Sequence, residues 1–307
     1  MSTHYFRFSR RGAVNPNRSS LLERLLARAD APVVIADWRA DAFRLIAPQG
    51  AAMPGVGAAA LFAERGPVDA AAVFIATPVH YVAGMSSVRL PADGILRLPQ
   101  PEADALTVDF NRVWNDAGVR LIAGRSAGMF CLADRALDAT TRDPEDVRDG
   151  SIESHLPTGT AAPRLRQLMS EIEMWLFDHE VNRARNGAGA PAVNGLWLWG
   201  GGPALETLPP IEGWTRGDDP LFRSFAARPD VDARARSCSG VAVIGAEPGT
   251  EEWGGTGQIW LERSLADLTR GRVARLQLSA GSRCFSVSAR VNWRLWRRRR
   301  PWWESFA

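Results

Sequence analysis

The spacing of apolar residues in the first half of the chain predicts alternating helices and strands. Residues 21–29 have the apolar spacing of an amphipathic helix, and residues 101–115 form a second predicted helix that Gly118 ends. Continuous apolar runs at 32–35 and 72–75 predict two short buried strands. Helices and strands therefore alternate from the start of the sequence.

The second half repeats this alternation with longer elements. Residues 163–186 carry the longest helical stripe of apolar positions, and a four-residue apolar strand follows at 196–199. A strand at 241–244 precedes a helix at 257–269. The closing strands are predicted at 273–278 and 284–296. We therefore predict an α/β fold with a mixed sheet flanked by helices and antiparallel strands at the C-terminus.

The composition of one segment predicts two lobes. Residues 139–162 are rich in Asp, Ser, Thr, Pro and Gly, as is typical of a linker. This linker would separate an N-terminal α/β lobe (1–138) from a C-terminal α/β lobe (163–307).

Residue usage excludes several kinds of chemistry. All 37 basic residues are arginine, which excludes a P-loop lysine and a lysine Schiff base. The four histidines lie at positions 4, 80, 155 and 179, too far apart in sequence for a recognisable metal motif. The sequence therefore predicts no cofactor and no metal site. The longest apolar run, at 70–76, is too short to span a bilayer, so we predict a cytoplasmic protein without a membrane span.

The C-terminal segment 272–307 is strongly basic, with nine arginines against the acid Glu304. Its arginines alternate with tryptophans, a combination that suits phosphate contact and base stacking. The tryptophans are Trp293, Trp296, Trp302 and Trp303. Nucleic-acid binding is therefore one hypothesis for this segment. The other is an edge strand whose tryptophans pack inward while its arginines face solvent.

Residues 124–128 match the G-x-S-x-G pattern of a serine nucleophile and follow an apolar strand at 119–123. A nucleophile of this type needs a helix after the motif, whereas 129–132 reads as another strand. The alternatives are a Ser hydrolase site and a simple turn between two strands.

A cluster of polar and aromatic residues surrounds the end of the long predicted helix. His179, Asn182 and Arg185 fall near one helical face, and Asn194 precedes the strand that carries Trp197 and Trp199. Glycines end this strand and allow the main chain to approach another group closely. The candidate ligand-binding residues are His80, His179, Asn182, Arg185, Asn194, Trp197, Trp199, Gly200 and Gly202. The alternative is a structural role in which both tryptophans fill the core against Trp175 and the polar residues fix the connecting loop.

The runs 179–187 and 191–202 resemble a block of the archaeal-type, cofactor-independent phosphoglycerate mutases. Over most of the chain, the sequence is also similar to a bacterial family of RpfE-type regulatory, phosphoglycerate-mutase-like proteins, which share this block and segments matching 76–80 and 293–298. Thr77 stands where that family pattern has Asp. The resemblance implies a regulatory protein with a remnant pocket for a phosphorylated metabolite.

The mutases belong to a superfamily that needs two metal ions, with histidine ligands C-terminal to the shared block. No histidine follows position 179, so we expect no metal-dependent mutase activity. The alternatives are an active phosphoryl-transfer enzyme, with a phosphoglycerate-mutase-like isomerase as the first choice, and the Ser hydrolase or nucleic-acid binder named above. The expected partners are a small phosphorylated metabolite or another protein.

Overall fold

A computed structural model describes residues 2–8, 18–85, 87–125, 128–226, 238–245, 248, 253, 255–288 and 298–306. The described strands are β1 (Thr3–Phe8), β2 (Val33–Val34), β3 (Ala72–Val79), β4 (Val82–Ala83), β5 (Val88–Leu90), β6 (Val119–Ala123), β7 (Met129–Ala133), β8 (Gly150–Ser151), β9 (Gly195–Gly202), β10 (Trp214–Gly217), β11 (Gly240–Ile244), β12 (Arg275–Ala280) and β13 (Arg283–Ser288). The described α-helices are α1 (Ser20–Arg28), α2 (Trp38–Ile46), α3 (Val56–Arg65), α4 (Gln100–Trp114), α5 (Ala162–Phe177), α6 (Glu180–Gly187), α7 (Pro220–Arg223), α8 (Gly257–Thr269) and α9 (Trp302–Ser305).

The chain divides into two compact units that differ from the predicted lobes. Unit 1 combines Met1–Met53 with Pro209–Ala307, and unit 2 is Pro54–Leu208. Both ends of the chain belong to unit 1 because β1 pairs in parallel with β11 and with β12. The predicted boundaries at 138 and 163 both fall inside unit 2.

Unit 1 is built on a mixed sheet, sheet A. Within the described residues, its strand order is β10-β11-β1-β12-β13-β2. The first four strands are parallel, whereas β13 is antiparallel to both β12 and β2. The predicted mixed sheet and the antiparallel C-terminal strands are thus confirmed. Phe6, Phe8, Leu276, Leu278 and Trp302 lie in its core.

Unit 2 is built on an antiparallel sheet, sheet B, with the order β6-β7-β3-β9 among the described strands. Helices α3 and α5 pack against β9, and α4 packs against β6. A smaller antiparallel sheet, sheet C, has the order β4-β5-β8.

The predicted linker 139–162 is folded into unit 2. Strand β8 pairs with β5 of sheet C, and Thr140 forms an isolated bridge with Thr158. Short 3-10 helices occupy Pro144–Asp146 and Glu153–His155. Small polar residues and glycine therefore form tight turns here rather than a free connection.

Two predicted elements differ from the observed ones. The strand predicted as buried at 32–35 is the two-residue strand β2 at the sheet edge, where Val33 and Val34 are 63% and 76% exposed. The helix predicted over 163–186 is two helices, α5 and α6, separated by Asp178 and His179. His179 has extended backbone angles and caps α6, so the apolar stripe continues although the helix does not.

No helix in the described part of the chain combines the length and apolar character needed to cross a membrane. The strand predicted at 284–296 is described only as β13, and its remainder lies outside the described residues.

Candidate functional site

Asn182 joins the break between α5 and α6 to the segment that leads into β9. Its amide nitrogen donates to the carbonyl oxygens of Leu176 and Val193, both at 2.7 Å. Its amide oxygen accepts from the Val193 main-chain N–H at 2.8 Å. The side chain is only 3% exposed, so both amide donors are used inside the protein on main-chain atoms.

The imidazole ring of His179 caps the N-terminus of α6. Its Nδ1 atom accepts from the main-chain N–H of Val181 at 3.2 Å, which places the proton of the neutral ring on Nε2. That Nε2 atom lies 3.5 Å from Oδ2 of Asp109, and the ring packs edge-on against Trp175. Burial lowers the pKa of His179, and the neighbouring carboxylates of Asp109 and Glu180 oppose this only in part. The imidazole is therefore neutral near pH 7.

Arg185 links the loop after α6 to helix α4. Its Nε atom donates to the carbonyl oxygen of Pro191 at 2.7 Å, and its Nη1 atom lies 2.6 Å from Oε2 of Glu102. The arginine side chain is 10% exposed and the glutamate 29%, so water screens this ion pair only partly. The guanidinium is thus committed to a partner within unit 2.

His80 and Asn194 fix the same loop to the end of β3. Nδ1 of His80 lies 2.8 Å from the carbonyl oxygen of Ala192. The Asn194 side chain pairs with both main-chain groups of Tyr81: its Oδ1 accepts from the N–H at 2.6 Å and its Nδ2 donates to the carbonyl at 2.9 Å. Asn194 therefore imitates a strand residue and extends the pairing of β3 with β9.

Trp197 and Trp199 are buried side chains whose indole N–H groups are satisfied. Trp197 Nε1 donates to the carbonyl oxygen of Arg142 at 2.7 Å, and Trp199 Nε1 donates to Oγ1 of Thr77 at 2.8 Å. The residue that departs from the family pattern, Thr77, thus positions one tryptophan of the block. Trp197 packs against Tyr81. The ring of Trp175 packs against Phe110, Trp114 and His179.

The glycines at the end of β9 allow a close approach of α3. Gly200 has a φ of +64°, which other residues rarely adopt, and its N–H donates to Oγ1 of Thr141 at 3.0 Å. A Cβ on Gly202 would lie 2.7 Å from the Cα of Gly55, immediately before α3. A side chain at position 202 would therefore push α3 away from the sheet.

The candidate residues all lie in unit 2, but not at one place. The polar ones contact the segment that leads into β9, whereas Gly200 and Gly202 lie at the other end of that strand. Most of the polar atoms bond to the main chain. Sequence reasoning missed Glu102 and Asp109, the acidic partners of Arg185 and His179. Both lie in the predicted helix 101–115, but no sequence spacing connects that helix to residues so much later in the chain.

The G-x-S-x-G motif lies between strands β6 and β7, which pair antiparallel with each other. A serine-nucleophile motif is followed by a helix, whereas this one is followed by the antiparallel strand β7. This agrees with the interpretation of the motif as a turn between two strands. The N–H of Gly124 donates to the carbonyl oxygen of Gly128 at 2.6 Å, and Ser126 itself lies outside the described residues.

The basic C-terminal segment is described only in part. Trp293 and Trp296 lie outside the described residues, whereas Trp302 is fully buried and meets Phe8 edge-on. Trp302 is therefore a core residue and is not available for base stacking. Arg298–Arg300 are exposed.

The described residues do not fit the two-metal site that the superfamily resemblance implies. Among the residues that the structure describes, no three His, Cys, Asp or Glu side chains converge to hold a metal ion. The histidine rings instead have structural contacts: His4 meets the hydroxyl of Ser264, and His80 and His179 meet main-chain atoms.

Comparison with known proteins relates part of the chain to one group of enzymes, although no family model matches it. The chain is 30% identical over 149 residues to the 2,3-bisphosphoglycerate-independent phosphoglycerate mutase of Methanothrix thermoacetophila. It is 29% identical over 155 residues to mutase 2 of Methanothermobacter thermautotrophicus. Part of the chain is therefore phosphoglycerate-mutase-like. Each match covers 47% of this chain and 38% of the relative, well under half of the relative's length.

Two solved structures align with the chain at a TM-score of 0.37 each. The cofactor-independent phosphoglycerate mutase from Thermoplasma acidophilum is 14% identical, and the alignment covers 93% of this chain and 89% of that one. The PH0037 protein from Pyrococcus horikoshii is 10% identical, with 94% and 87% covered. The α/β fold class rests on the strand pairing described above, and the RpfE-type assignment stays a prediction.

Proposed function

We propose that the chain is an RpfE-type regulatory, phosphoglycerate-mutase-like protein that does not catalyse the metal-dependent mutase reaction. The observation that carries the proposal is that the polar side chains of the mutase-like block (179–202) are hydrogen-bonded or ion-paired within the protein. Asn182 and Asn194 bond to the main chain, and Arg185 is paired with Glu102. The block therefore maintains the fold of unit 2.

Phosphoryl transfer requires charged or metal-bound groups that face the substrate and stabilise its developing charge. His179 offers a neutral ring whose Nδ1 atom caps a helix, and Asn182 is buried. Neither group supports such chemistry in its present contacts. An active phosphoryl-transfer or isomerase enzyme is the alternative, and the assay below separates it from the proposal.

The proposed ligands remain a small phosphorylated metabolite or a protein partner, and the proposed compartment is the cytoplasm. The similarity to phosphoglycerate mutases supports a phosphorylated three-carbon acid as the first ligand to test.

The test is a coupled assay of the purified full chain with 3-phosphoglycerate and added Mn²⁺ or Mg²⁺. We expect no turnover above the protein-free background. The Methanothrix relative, assayed in parallel, is the positive control for the coupling enzymes. Turnover that depends on the added metal ion and scales with protein concentration would overturn the proposal.

Binding without conversion is the second half of the proposal. A ligand that binds the folded state raises its unfolding midpoint, so 3-phosphoglycerate should raise the midpoint of the chain while the acid is recovered unchanged. If saturating 3-phosphoglycerate does not change the unfolding midpoint, the proposed metabolite pocket is rejected and a protein partner remains as the proposed ligand.

A further inference from the structure

Strand β6 is the outer strand of sheet B, where its only neighbour among the described strands is β7. In an antiparallel pair, the N–H and C=O groups of alternate residues point away from the partner strand. Leu121 is such a residue of β6, because both its main-chain groups bond to a side chain of helix α4. Outward groups of this kind allow the strand of another chain to add to a sheet. The surroundings of Leu121 therefore decide whether sheet B can grow along β6.

The side chain of Asn111 occupies this edge. Its Nδ2 atom donates to the carbonyl oxygen of Leu121 at 2.9 Å, and its Oδ1 atom accepts from the Leu121 main-chain N–H at 2.7 Å. The main chain of an added strand would make the same two hydrogen bonds with Leu121. Asn111 therefore imitates a residue of a neighbouring strand and takes the place of one.

A second side chain covers the adjoining part of the edge. Ala123 alternates with Leu121 along β6, so its main-chain groups also point away from β7. Its carbonyl oxygen accepts from Nη2 of Arg65, the last residue of α3, at 2.8 Å. Side chains from α3 and α4 thus hold neighbouring outward groups of the same strand.

The sequence of β6 suits pairing with an identical strand. Two copies that pair antiparallel about Leu121 would exchange the N–H···O=C bonds of that residue. Arg120 of one copy then lies opposite Ile122 of the other, and no two like charges meet across the pair. Arg120 lies 3.9 Å from Asp134, and both side chains are exposed, so this contact does not hold Arg120 firmly. The two-fold arrangement closes on itself and yields a dimer.

We propose that the edge of β6 is a pairing site for a second copy of this chain, and that Asn111 keeps the site closed. One amide side chain of α4 thus controls whether sheet B ends at β6 or continues into another molecule. The proposal involves neither a ligand nor the mutase reaction, so it is independent of the proposed function.

Asn111→Ala in the full chain opens the edge. Alanine has a higher helix propensity than asparagine, so α4 should keep its form, and circular dichroism checks this. Asn115→Ala is the matched control, because Asn115 is the next asparagine along the chain, is exposed, and has no hydrogen bond to β6 among the described residues. Analytical ultracentrifugation measures the molar mass of each protein over a range of concentrations.

We expect Asn111→Ala to gain an association step that the unmodified protein and the control lack, with an about twofold increase in molar mass as concentration rises. Asn111→Ser replaces the alanine variant if that variant does not fold. Loss of folding in both would show that Asn111 only supports the fold and would overturn the proposal.

Two charged variants test whether association uses the β6 register. In the Asn111→Ala background, Ile122→Lys places a cation opposite Arg120 of the other copy, whereas Ile122→Glu places an anion there. Ile122 is only half-buried, so both variants should fold. Because the contact occurs twice in a two-fold dimer, we expect the glutamate variant to dimerise about tenfold more tightly than the lysine variant.

Three results would overturn the proposal. The first is a folded Asn111→Ala protein with the molar mass of the unmodified protein at every concentration. The second is equal association of the Asn115→Ala control. The third is equal association of the two charged variants, which would show that the copies meet elsewhere.

Discussion

Replacing Asn182 by alanine tests the structural role of the mutase-like block most directly. In the folded protein, its side chain bonds to the carbonyls of Leu176 and Val193 and to the N–H of Val193. Alanine leaves these buried main-chain groups without their partner. An unsatisfied buried polar group costs about 1–3 kcal/mol, and water that enters the space left by the amide recovers part of this cost. We therefore expect a loss of about 3 kcal/mol in the free energy of unfolding.

Urea denaturation of the full chain, followed by circular dichroism, measures this loss. Asn186→Ala is the matched control, since Asn186 is exposed on the same helix α6 and should change stability by no more than about 0.5 kcal/mol. Asn182→Asp adds a second test, because it keeps one acceptor but removes both donors that face carbonyl oxygens. It should destabilise at least as much as alanine.

A loss below about 1 kcal/mol in Asn182→Ala, with a normal slope against urea, would refute the structural interpretation. A functional residue held at the expense of stability would give that result, or even a gain. The same variant would then be examined for the effect of 3-phosphoglycerate on its midpoint.

The remaining predictions concern one hydrogen bond and two buried histidines. Thr77→Val removes the acceptor for the indole N–H of Trp199 and should cost about 1 kcal/mol in urea melts, whereas Thr77→Ser should cost less. Burial lowers the folded-state pKa of His4 and His179 below the unfolded value of 6.5. As pH falls below about 6.5, the unfolded chain therefore binds protons that the folded chain does not, and stability declines until the folded pKa is reached. His179→Gln should reduce the difference between midpoints measured at about pH 7.5 and 5.5, and an unchanged difference would contradict this assignment.

Local patterns determined the position of many elements. The apolar run at 72–75 is the first half of β3, and the pattern at 101–115 is α4 within one residue at each end. The apolar stripe at 163–177 is α5, which packs against β9. These elements are predictable because hydrophobic burial acts on each residue according to its own side chain.

Tertiary structure decided the break at Asp178 and His179. Neither glycine nor proline marks this position, and the apolar stripe runs through it. The break is stabilised by the ring of His179 on the N–H of Val181 and by Asn182 on the carbonyl of Leu176. Such bonds have main-chain partners, and main-chain atoms are alike at every residue, so the sequence contains no signal that identifies them.

The composition of 139–162 predicts a linker, but the pairing of β8 with β5 makes this segment part of unit 2. Strand β1 lies between β11 and β12, more than two hundred residues later in the chain, while β3 lies between β7 and β9. The sequence by itself determined where many of the strands and helices lie. Which strands become neighbours, and whether His179 or Asn182 supports the fold or a ligand, depends on contacts between distant residues, and only the folded chain brings those residues together.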